Sequence, residues 1–363
     1  MLQEESALLI HGLLEHPEAS VAHHVHREVG SVGWRSIFGH ESIPFDGPDP
    51  AQRIDDMGAD ISRAMLPGGS IVDIFPSLKP VISRIAFLRR PADLWHEEIT
   101  SHFEQYHCDD QLEGQTSVSG TLKQTGEKIG IDEHTAAWIS GTLFFAAIDT
   151  SACALLWFLY AMILHPEAAN EARKQLDDVV GDRPPRLSDK EMLPQIEAIV
   201  KEVLRWRPPV PQSVAHAASE PFEYDGYMIP QGAIIVANIY AIGRDPQLYA
   251  DGDNFDPSRF IDESGQLRQP LRDSKDDYLC FGHGRRICVG KDLAMNSLWI
   301  SIAHLLWAFD FKNGKDARGV DISLSGPGFL DRSASVEPVA FSAEFVPRYS
   351  DLARRLKAAR FEE

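Results

Sequence analysis

The amino-acid sequence predicts a mainly α-helical protein with small β-sheets, an α+β fold. Residues 135–164 contain Asp149 as their only charged side chain, a pattern typical of a long buried helix. Several shorter amphipathic segments bounded by proline predict further helices. Short strand-like runs with turn residues between them, over 222–238, predict the small sheets.

Composition limits the classes of partner. The 363 residues include 35 basic and 54 acidic side chains, a net charge of −19, which argues against a nucleic-acid or polybasic membrane-surface binder. We therefore expect no nucleic-acid partner. An apolar fraction of 44% argues against disorder, and the four cysteines are too few for a disulfide framework.

The N-terminal third predicts helices separated by turns. The helices are expected over residues 6–15, 52–66 and 80–106, the last two divided by the turn-forming segment 67–70. Residues 109–132 are polar and nearly free of large apolar side chains, so we expect an exposed loop there.

The long apolar segment 135–164 has two interpretations. Its length would suffice for a bilayer span. The central Asp149 argues against this, because a carboxylate at mid-membrane costs about 2.5–3.5 kcal/mol on insertion scales. We therefore expect a helix that runs through the middle of a soluble protein.

The C-terminal half alternates helices, strands and loops. We expect helices over 165–180, 192–205 and 292–308, strands over 222–224, 227–229 and 233–236, a loop over 245–260 and a hairpin over 321–346.

The chemistry is concentrated in residues 281–290, directly before an apolar helix. Cys288 would lie at the N-terminal end of that helix, where free backbone N–H groups and the charges of Arg285 and Arg286 stabilise a thiolate. Phe281 can shield the sulfur from water. Glycines let the backbone approach a flat ligand closely, here Gly282, Gly284 and Gly290. Such a sulfur suits a haem iron.

Other interpretations of the same loop are weaker. A free cysteine is usually a small buried hydrophobe. A dinucleotide loop would need glycine where the chain has Ile287. A zinc site built on Cys280, His283 and Cys288 lacks a second ligand pair nearby.

Glu202 and Arg205 stand three residues apart and so share one helix face. Such pairs usually lie at the surface and contribute little. Arg259 follows at moderate distance, and a glutamate between two arginines could lock a loop against a helix.

Asp149 and Thr150 place an acid beside a hydroxyl within the long apolar helix. This arrangement is costly unless the groups are hydrogen-bonded or used. The structural interpretation is a helix distortion satisfied by backbone carbonyls, and the functional one is a proton relay.

These features, in this order, resemble the cytochrome P-450 family of haem-thiolate monooxygenases, and in detail its fungal microsomal branch. The matching positions are Phe281, Gly284, Arg286, Cys288 and Gly290 of the haem-binding motif, Glu202 and Arg205 of the E-x-x-R pair, Arg259 of the triad, and Asp149 with Thr150 of the central helix. The resemblance also extends to residues 227–232 and 242–246.

The resemblance implies a role for each of these residues. Cys288 would be the axial ligand of the iron of haem b (iron protoporphyrin IX), and Phe281, Gly282, Gly284 and Gly290 would shape its loop. Arg286 would pair with a haem propionate, as would His216, unless the latter is an ordinary surface histidine. Asp149 and Thr150 would supply protons to dioxygen, and the triad would be structural. Substrate-lining candidates are Phe145, Ala146, Val210, Val214 and Phe329.

Two departures from the family stand out. The family usually has glycine where this chain has Ala147, and we expect the added methyl to narrow the space for oxygen beside the helix. The family's N-terminal anchor, part of its β-domain and its early helices have no counterpart here. We therefore expect one N-terminally incomplete domain over 1–363, with early helices and loop over 1–134, the central helix over 135–164 and the haem-binding part over 165–363.

The implied function is a monooxygenase that inserts one atom of O2 into a small apolar organic substrate. Its electrons would come from a separate NADPH-dependent cytochrome P-450 reductase, since no nucleotide loop is recognisable in the chain. Full-length relatives are expected on the endoplasmic reticulum membrane, facing the cytosol, although this chain shows no anchor or signal peptide. The alternatives are a truncated, non-catalytic chain with impaired haem binding, and a peroxide-using or isomerising haem-thiolate enzyme.

Overall fold

A computed structural model describes residues 1–47, 49–54, 68, 70–108, 116–270, 278–315, 318–322, 324, 328–331 and 335–359. The helices of this part are α1 (Leu2–Glu15), α2 (Val21–Gly33), α3 (Ile71–Ile74), α4 (Lys79–Ile82), α5 (Ala86–His107), α6 (Val118–Thr125), α7 (Glu133–Leu164), α8 (Pro166–Val179), α9 (Pro194–Trp206), α10 (Ile239–Ile242), α11 (Lys291–Ala308) and α12 (Leu352–Ala359).

Short antiparallel sheets accompany the helices. The strands are β1 (His216–Ala217), β2 (Phe222–Tyr224), β3 (Tyr227–Ile229), β4 (Ile234–Ile235), β5 (Phe309–Asn313), β6 (Phe329–Asp331), β7 (Val336–Pro338) and β8 (Ala343–Pro347). Within the described ranges they form the pairs β1–β4, β2–β3, β5–β8 and β6–β7. The prediction of a mainly helical fold with small sheets is confirmed.

Helix α7 runs through the middle of the fold. Its N-terminus is capped by the Asp132 carboxylate, which accepts the Thr135 amide at 2.7 Å, and Pro166 opens the next helix directly after it. By length and composition α7 alone among the described residues could span a bilayer, yet 67% of its most apolar stretch is buried inside the protein. This burial agrees with the prediction of a core helix.

Two apolar clusters flank α7. The larger cluster joins its C-terminal half to α1, α8, α9 and α11, and the smaller joins its N-terminal half to the end of α2 and to α5. Gly141 permits the close approach of α5, because a Cβ there would lie 2.2 Å from the Phe103 ring. Trp157, fully buried, donates its indole N–H to the Val336 carbonyl at 2.8 Å and ties α7 to β7.

Helix α11 meets α1 and α2 through buried polar contacts. The Ser6 hydroxyl lies 2.8 Å from Nδ1 of His304, whose Nε2 lies 2.9 Å from the Pro185 carbonyl. The Ser301 hydroxyl donates to the Glu28 carboxylate at 2.7 Å. Burial raises the pKa of Glu28 to about 7 and lowers the pKa of His304 to about 4.

Several predicted boundaries shift and some expectations are wrong. The helix expected over 80–106 is divided into α4 and α5 by a turn at residues 83–84. The loop expected over 109–132 contains α6, where Ser119 is buried against His107, while 109–115 lie outside the described residues. Of the helix expected over 52–66, residues 52–54 are helical and 55–66 lie outside the described part.

The tail and the second helix also differ from expectation. Within 321–346, β6 and β7 form the hairpin, but β8 pairs with β5 instead. Helix α2 was not predicted, although Val21, Val25, Val29 and Val32 follow a helical spacing, because histidine, arginine and glutamate side chains interrupt the pattern. Glu28 and Arg27 of that helix are themselves buried.

We predict opposite pH dependences of stability from Glu28 and His304. Because native Glu28 keeps its proton up to about pH 7, its contribution to the free energy of unfolding falls as the pH rises from 4.5 to 7. Native His304 stays neutral down to about pH 4, so its contribution rises with pH between 4 and 6.5. The two slopes oppose each other in the wild type.

Glu28→Gln should therefore unmask a stability that increases with pH between 4.5 and 6.5. Between pH 4.5 and 7, the difference in the free energy of unfolding between the variant and the wild type should change by roughly 3 kcal/mol. Denaturant unfolding at several pH values measures this free energy. Glu18→Gln, at an exposed position after α1, is the matched control. Parallel wild-type and Glu28→Gln profiles would contradict the prediction.

Candidate active site

The loop before α11 presents a thiol at the surface of the described structure. Cys288 is exposed, and two residues separate it from the first residue of α11. Its amide donates to the Phe281 carbonyl at 2.8 Å, which closes the loop into a compact turn. Gly282 and Gly284 adopt φ of 71° and 64°, a region that favours glycine, so other side chains there would strain the loop.

The predicted triad meets around Glu202, which is fully buried. Arg205 makes a two-pronged contact with its carboxylate, at 2.6 and 2.7 Å, and Arg259 Nε lies 3.2 Å from Oε1. The Asp256 amide also donates to Oε1, at 2.7 Å. The structure thus places Glu202 between two arginines, in a bidentate geometry typical of strong charge-assisted hydrogen bonds.

Arg205 also binds the loop that follows α10. Its Nη1 donates to the Gly243 and Gly252 carbonyls at 2.6 and 2.7 Å, and its Nη2 to the Asn254 carbonyl at 3.0 Å. Each guanidinium N–H group therefore has a partner, which offsets the cost of burying the charge. The network fixes α9 to residues 243–259.

The acid–alcohol pair lies where the surface of α7 changes. Asp149 is buried, whereas Thr150 is half-buried and donates its hydroxyl to the Ala146 carbonyl at 2.8 Å. This is the backbone-satisfied arrangement that the structural interpretation describes. The hydroxyl oxygen retains acceptor lone pairs, so the hydrogen bond leaves a proton-relay role open.

The neighbours of this pair divide between core and surface. Phe145 is buried in the smaller cluster, while Ala146 is exposed. The methyl of Ala147 packs against the same cluster and lies 4.0 Å from a Cβ built on Gly33 of α2. The structure therefore places this methyl against the smaller cluster, near Gly33 of α2.

The other predicted residues are spread over several elements. His216 is exposed on β1, and Arg286 is exposed in the loop. Val210 is half-buried, whereas Val214 and Phe329 are exposed to 59% and 64%. The Val336 amide donates to the Pro209 carbonyl at 2.9 Å, which brings the β6–β7 hairpin beside the segment that holds Val210.

The residues present fit a haem group. Cys288 offers a soft, accessible sulfur donor, and the apolar Ile287 and Val289 beside it are exposed to 46% and 83%. The described residues contain no cluster of three or more His, Cys, Asp or Glu side chains able to hold a metal ion. A single sulfur donor with apolar and basic neighbours suits a haem iron better than a hydrated ion.

Comparison with known proteins agrees with this chemistry. The family model for cytochrome P450 matches residues 4–333. The chain belongs to the cytochrome P450 family. A cytochrome P450 monooxygenase of Armillaria gallica is 37% identical over 356 residues, 96% of this chain and 69% of the relative. One from Postia placenta is 34% identical over 362 residues, covering 98% and 69%.

A solved structure supports the fold. A zebra fish cytochrome P450, determined with abiraterone, superimposes with a TM-score of 0.70 at 22% identity, covering 96% of this chain and 77% of that protein. The cytochrome P450 chain is thus an oxidoreductase of the haem-dependent monooxygenase class, and the family assignment made from its motifs is confirmed.

Two residues beneath the loop that carries Cys288 were not predicted from the sequence to belong to the site. The Tyr278 hydroxyl donates to the buried Glu197 carboxylate, which joins the loop to α9. Glu197 lies five positions before Glu202 on the same helix, and Tyr278 three positions before Phe281. Each residue lies close in the sequence to a motif that was recognised, and this was the one hint that it belongs to the site. The sequence does not show that Tyr278 and Glu197, which are 81 positions apart, form a pair.

Proposed function

We propose that this cytochrome P450 is a haem b monooxygenase whose axial ligand is Cys288. The observation that carries the proposal is the exposed thiol on a glycine-shaped loop at the start of α11. Haem, when bound, supplies the redox chemistry that transfers one atom of O2 to the substrate. The protein supplies the sulfur donor, the proton path and the apolar surroundings.

The residues around Cys288 would hold the group in place. Cys288 lies just before the N-terminal turn of α11, where its sulfur would be the donor to the iron. The exposed guanidinium of Arg286 supports a contact with a propionate, and the exposed imidazole of His216 supports a second. Phe281 would shield one side of the sulfur, since its ring is only half-exposed.

Protons would pass along α7 through Asp149 and Thr150. The buried carboxylate lies beside a hydroxyl that reaches the partly open face of the helix. A hydroxyl can donate one hydrogen bond and accept two, so Thr150 can orient a water molecule as well as contact the Ala146 carbonyl. This supports dioxygen, rather than added peroxide, as the oxidant.

The substrate is proposed to be a small apolar organic molecule. The exposed candidates for its contacts are Ala146, Val214 and Phe329, and the candidate Val210 is half-buried. Apolar side chains with few polar neighbours favour an apolar ligand. Electrons would come from an NADPH-dependent reductase, and the exposed cations Arg285 and Arg286 support docking of an acidic partner surface.

Cys288→Ala tests the ligand assignment. In the reduced protein with carbon monoxide, the wild type should give the strongly red-shifted absorption band of a thiolate-ligated haem, and the variant should lose it because the sulfur donor is gone. Cys108→Ala, which removes another exposed thiol, is the control and should keep the band. Persistence of the band without Cys288 would overturn the proposal, as would failure of the wild type to take up haem.

Thr150→Ala tests the proton path. The variant should consume oxygen at a similar rate but form several-fold less product for each oxygen used, because protons reach the site less efficiently. Oxygen consumption and product are measured together with a turned-over substrate. Thr150→Ser should restore coupling, and Thr142→Ala, on the exposed face of the same helix, should behave as the wild type. Unchanged coupling in Thr150→Ala would count against the relay.

We propose further that the protein acts at a membrane surface, on the cytosolic side of the endoplasmic reticulum. Residues 71–94 support this, because their large apolar side chains are exposed: Ile71, Ile74, Phe75, Leu78, Val81, Ile85, Phe87, Leu88 and Leu94. The exposed Arg84 and Arg90 beside them give this segment a local attraction to anionic headgroups, in a chain whose total charge is −19 and whose binding would depend mainly on the apolar side chains.

Vesicle co-sedimentation tests this surface. The protein should bind vesicles containing anionic phospholipid, and Phe75→Ser with Phe87→Ser should weaken binding at least about tenfold, because burying each ring contributes roughly 1.5–3 kcal/mol. Tyr227→Ser, which removes an exposed aromatic ring on β3, is the control. Equal binding of all three proteins, or none by the wild type, would refute the membrane surface.

A further inference from the structure

Beneath the Cys288 loop lies a buried tyrosine that none of the predicted roles uses. Tyr278 is 9% exposed and precedes the single helical turn Leu279–Phe281. Its hydroxyl donates to Oε1 of Glu197 on α9, and Nζ of Lys190 lies 3.2 Å from the second carboxylate oxygen. The phenol is thereby fixed to the helix that also carries Glu202 and Arg205.

Two ammonium groups lie close to the ring of Tyr278. Lys201 Nζ lies 4.3 Å from its centroid and Lys291 Nζ lies 5.5 Å from it, both within the range of cation–π attraction. Lys201 is four residues after Glu197 and so shares its face of α9, whereas Lys291 is the first residue of α11. The ring therefore contacts both helices that border the loop.

Further contacts connect Tyr278, through Phe281, to Cys288. The rings of Tyr278 and Phe281 meet edge to face, with centroids 6.1 Å apart. The Phe281 carbonyl accepts the Cys288 amide at 2.8 Å. Lys291 also lies 5.8 Å from the Phe281 centroid and donates its own amide to the Cys288 carbonyl at 3.4 Å.

We propose that Tyr278, held by Glu197, is a positioning residue for the Cys288 thiolate. It fixes the backbone of Phe281 and thereby the orientation in which Cys288 presents its sulfur. Groups that orient a metal ligand without touching the metal commonly change metal affinity 10–100-fold when removed. The inference rests on the proposed function, in which Cys288 is the haem ligand.

Tyr278→Phe isolates the hydrogen bond, because it keeps the ring between the two ammonium groups. In the haem-free chain, hydrogen exchange of the Cys288 amide should quicken about tenfold as its anchor loosens. In the haem-loaded chain, haem should dissociate about tenfold faster. The reduction potential should rise, since a less well held thiolate donates less charge to the iron.

Glu197→Ala removes the same bond from the other side and should reproduce these changes. The double variant should be no worse than Glu197→Ala alone, in which the hydrogen bond from Tyr278 is already lost together with the Lys190 contact. Glu197→Gln keeps a carbonyl oxygen as acceptor and should recover part of the loss. Tyr227→Phe, at an exposed hydroxyl on β3, is the matched control and should match the wild type.

The outcomes separate the two proposals. If Tyr278→Phe and Glu197→Ala match the wild type in amide exchange, haem dissociation and potential, the positioning role is wrong. If Cys288→Ala keeps the thiolate-type absorption band, the proposed function itself fails. If Tyr278→Phe does not fold, Glu197→Ala decides by the same three measurements, and an additive double variant would also overturn the role.

Discussion

The buried carboxylate of Glu202 holds helix α9 to the loop that follows α10, and α9 in turn packs against the helices that carry the other parts of the site. A fully buried carboxylate is tolerated only with several partners, and here two guanidinium groups and a backbone amide supply them. Through Arg205 the same charge fixes the loop at residues 243–254. Helix α9, which carries this network, contacts both α7 and α11, so it relates the acid–alcohol pair to the thiolate loop.

The central helix combines two kinds of surface. Its C-terminal part is enclosed on all sides, with a continuous buried run over residues 151–162. Its N-terminal part alternates core contacts with exposed positions, among them Thr142 and Ala146. A helix built this way is densely packed in one half and accessible to a ligand in the other. Thr150 lies at the transition between the two halves.

Much of this architecture could be predicted from the sequence, because its signals are local. The apolar run of α7, the Asp225–Gly226 turn between β2 and β3, and the glycine loop before α11 each depend on a few adjacent residues. What escaped prediction depends on distant partners: the pairing of β5 with β8, the polar interface of α2 with α11, and the contact of Tyr278 with Glu197. A buried glutamate such as Glu28 resembles a surface residue until its neighbours are known.

The residues that hold the loop of Cys288 and the apolar candidates for substrate contact lie in different parts of the fold. The supports lie on α9, α11 and the loop between residues 278 and 290, whereas the apolar candidates lie on α7, near Val210 and on β6. A substitution among the apolar candidates removes none of the hydrogen bonds and charged groups that hold the loop of Cys288. The apolar candidates can therefore be exchanged for other side chains without changing the hydrogen bonds that hold the loop of Cys288.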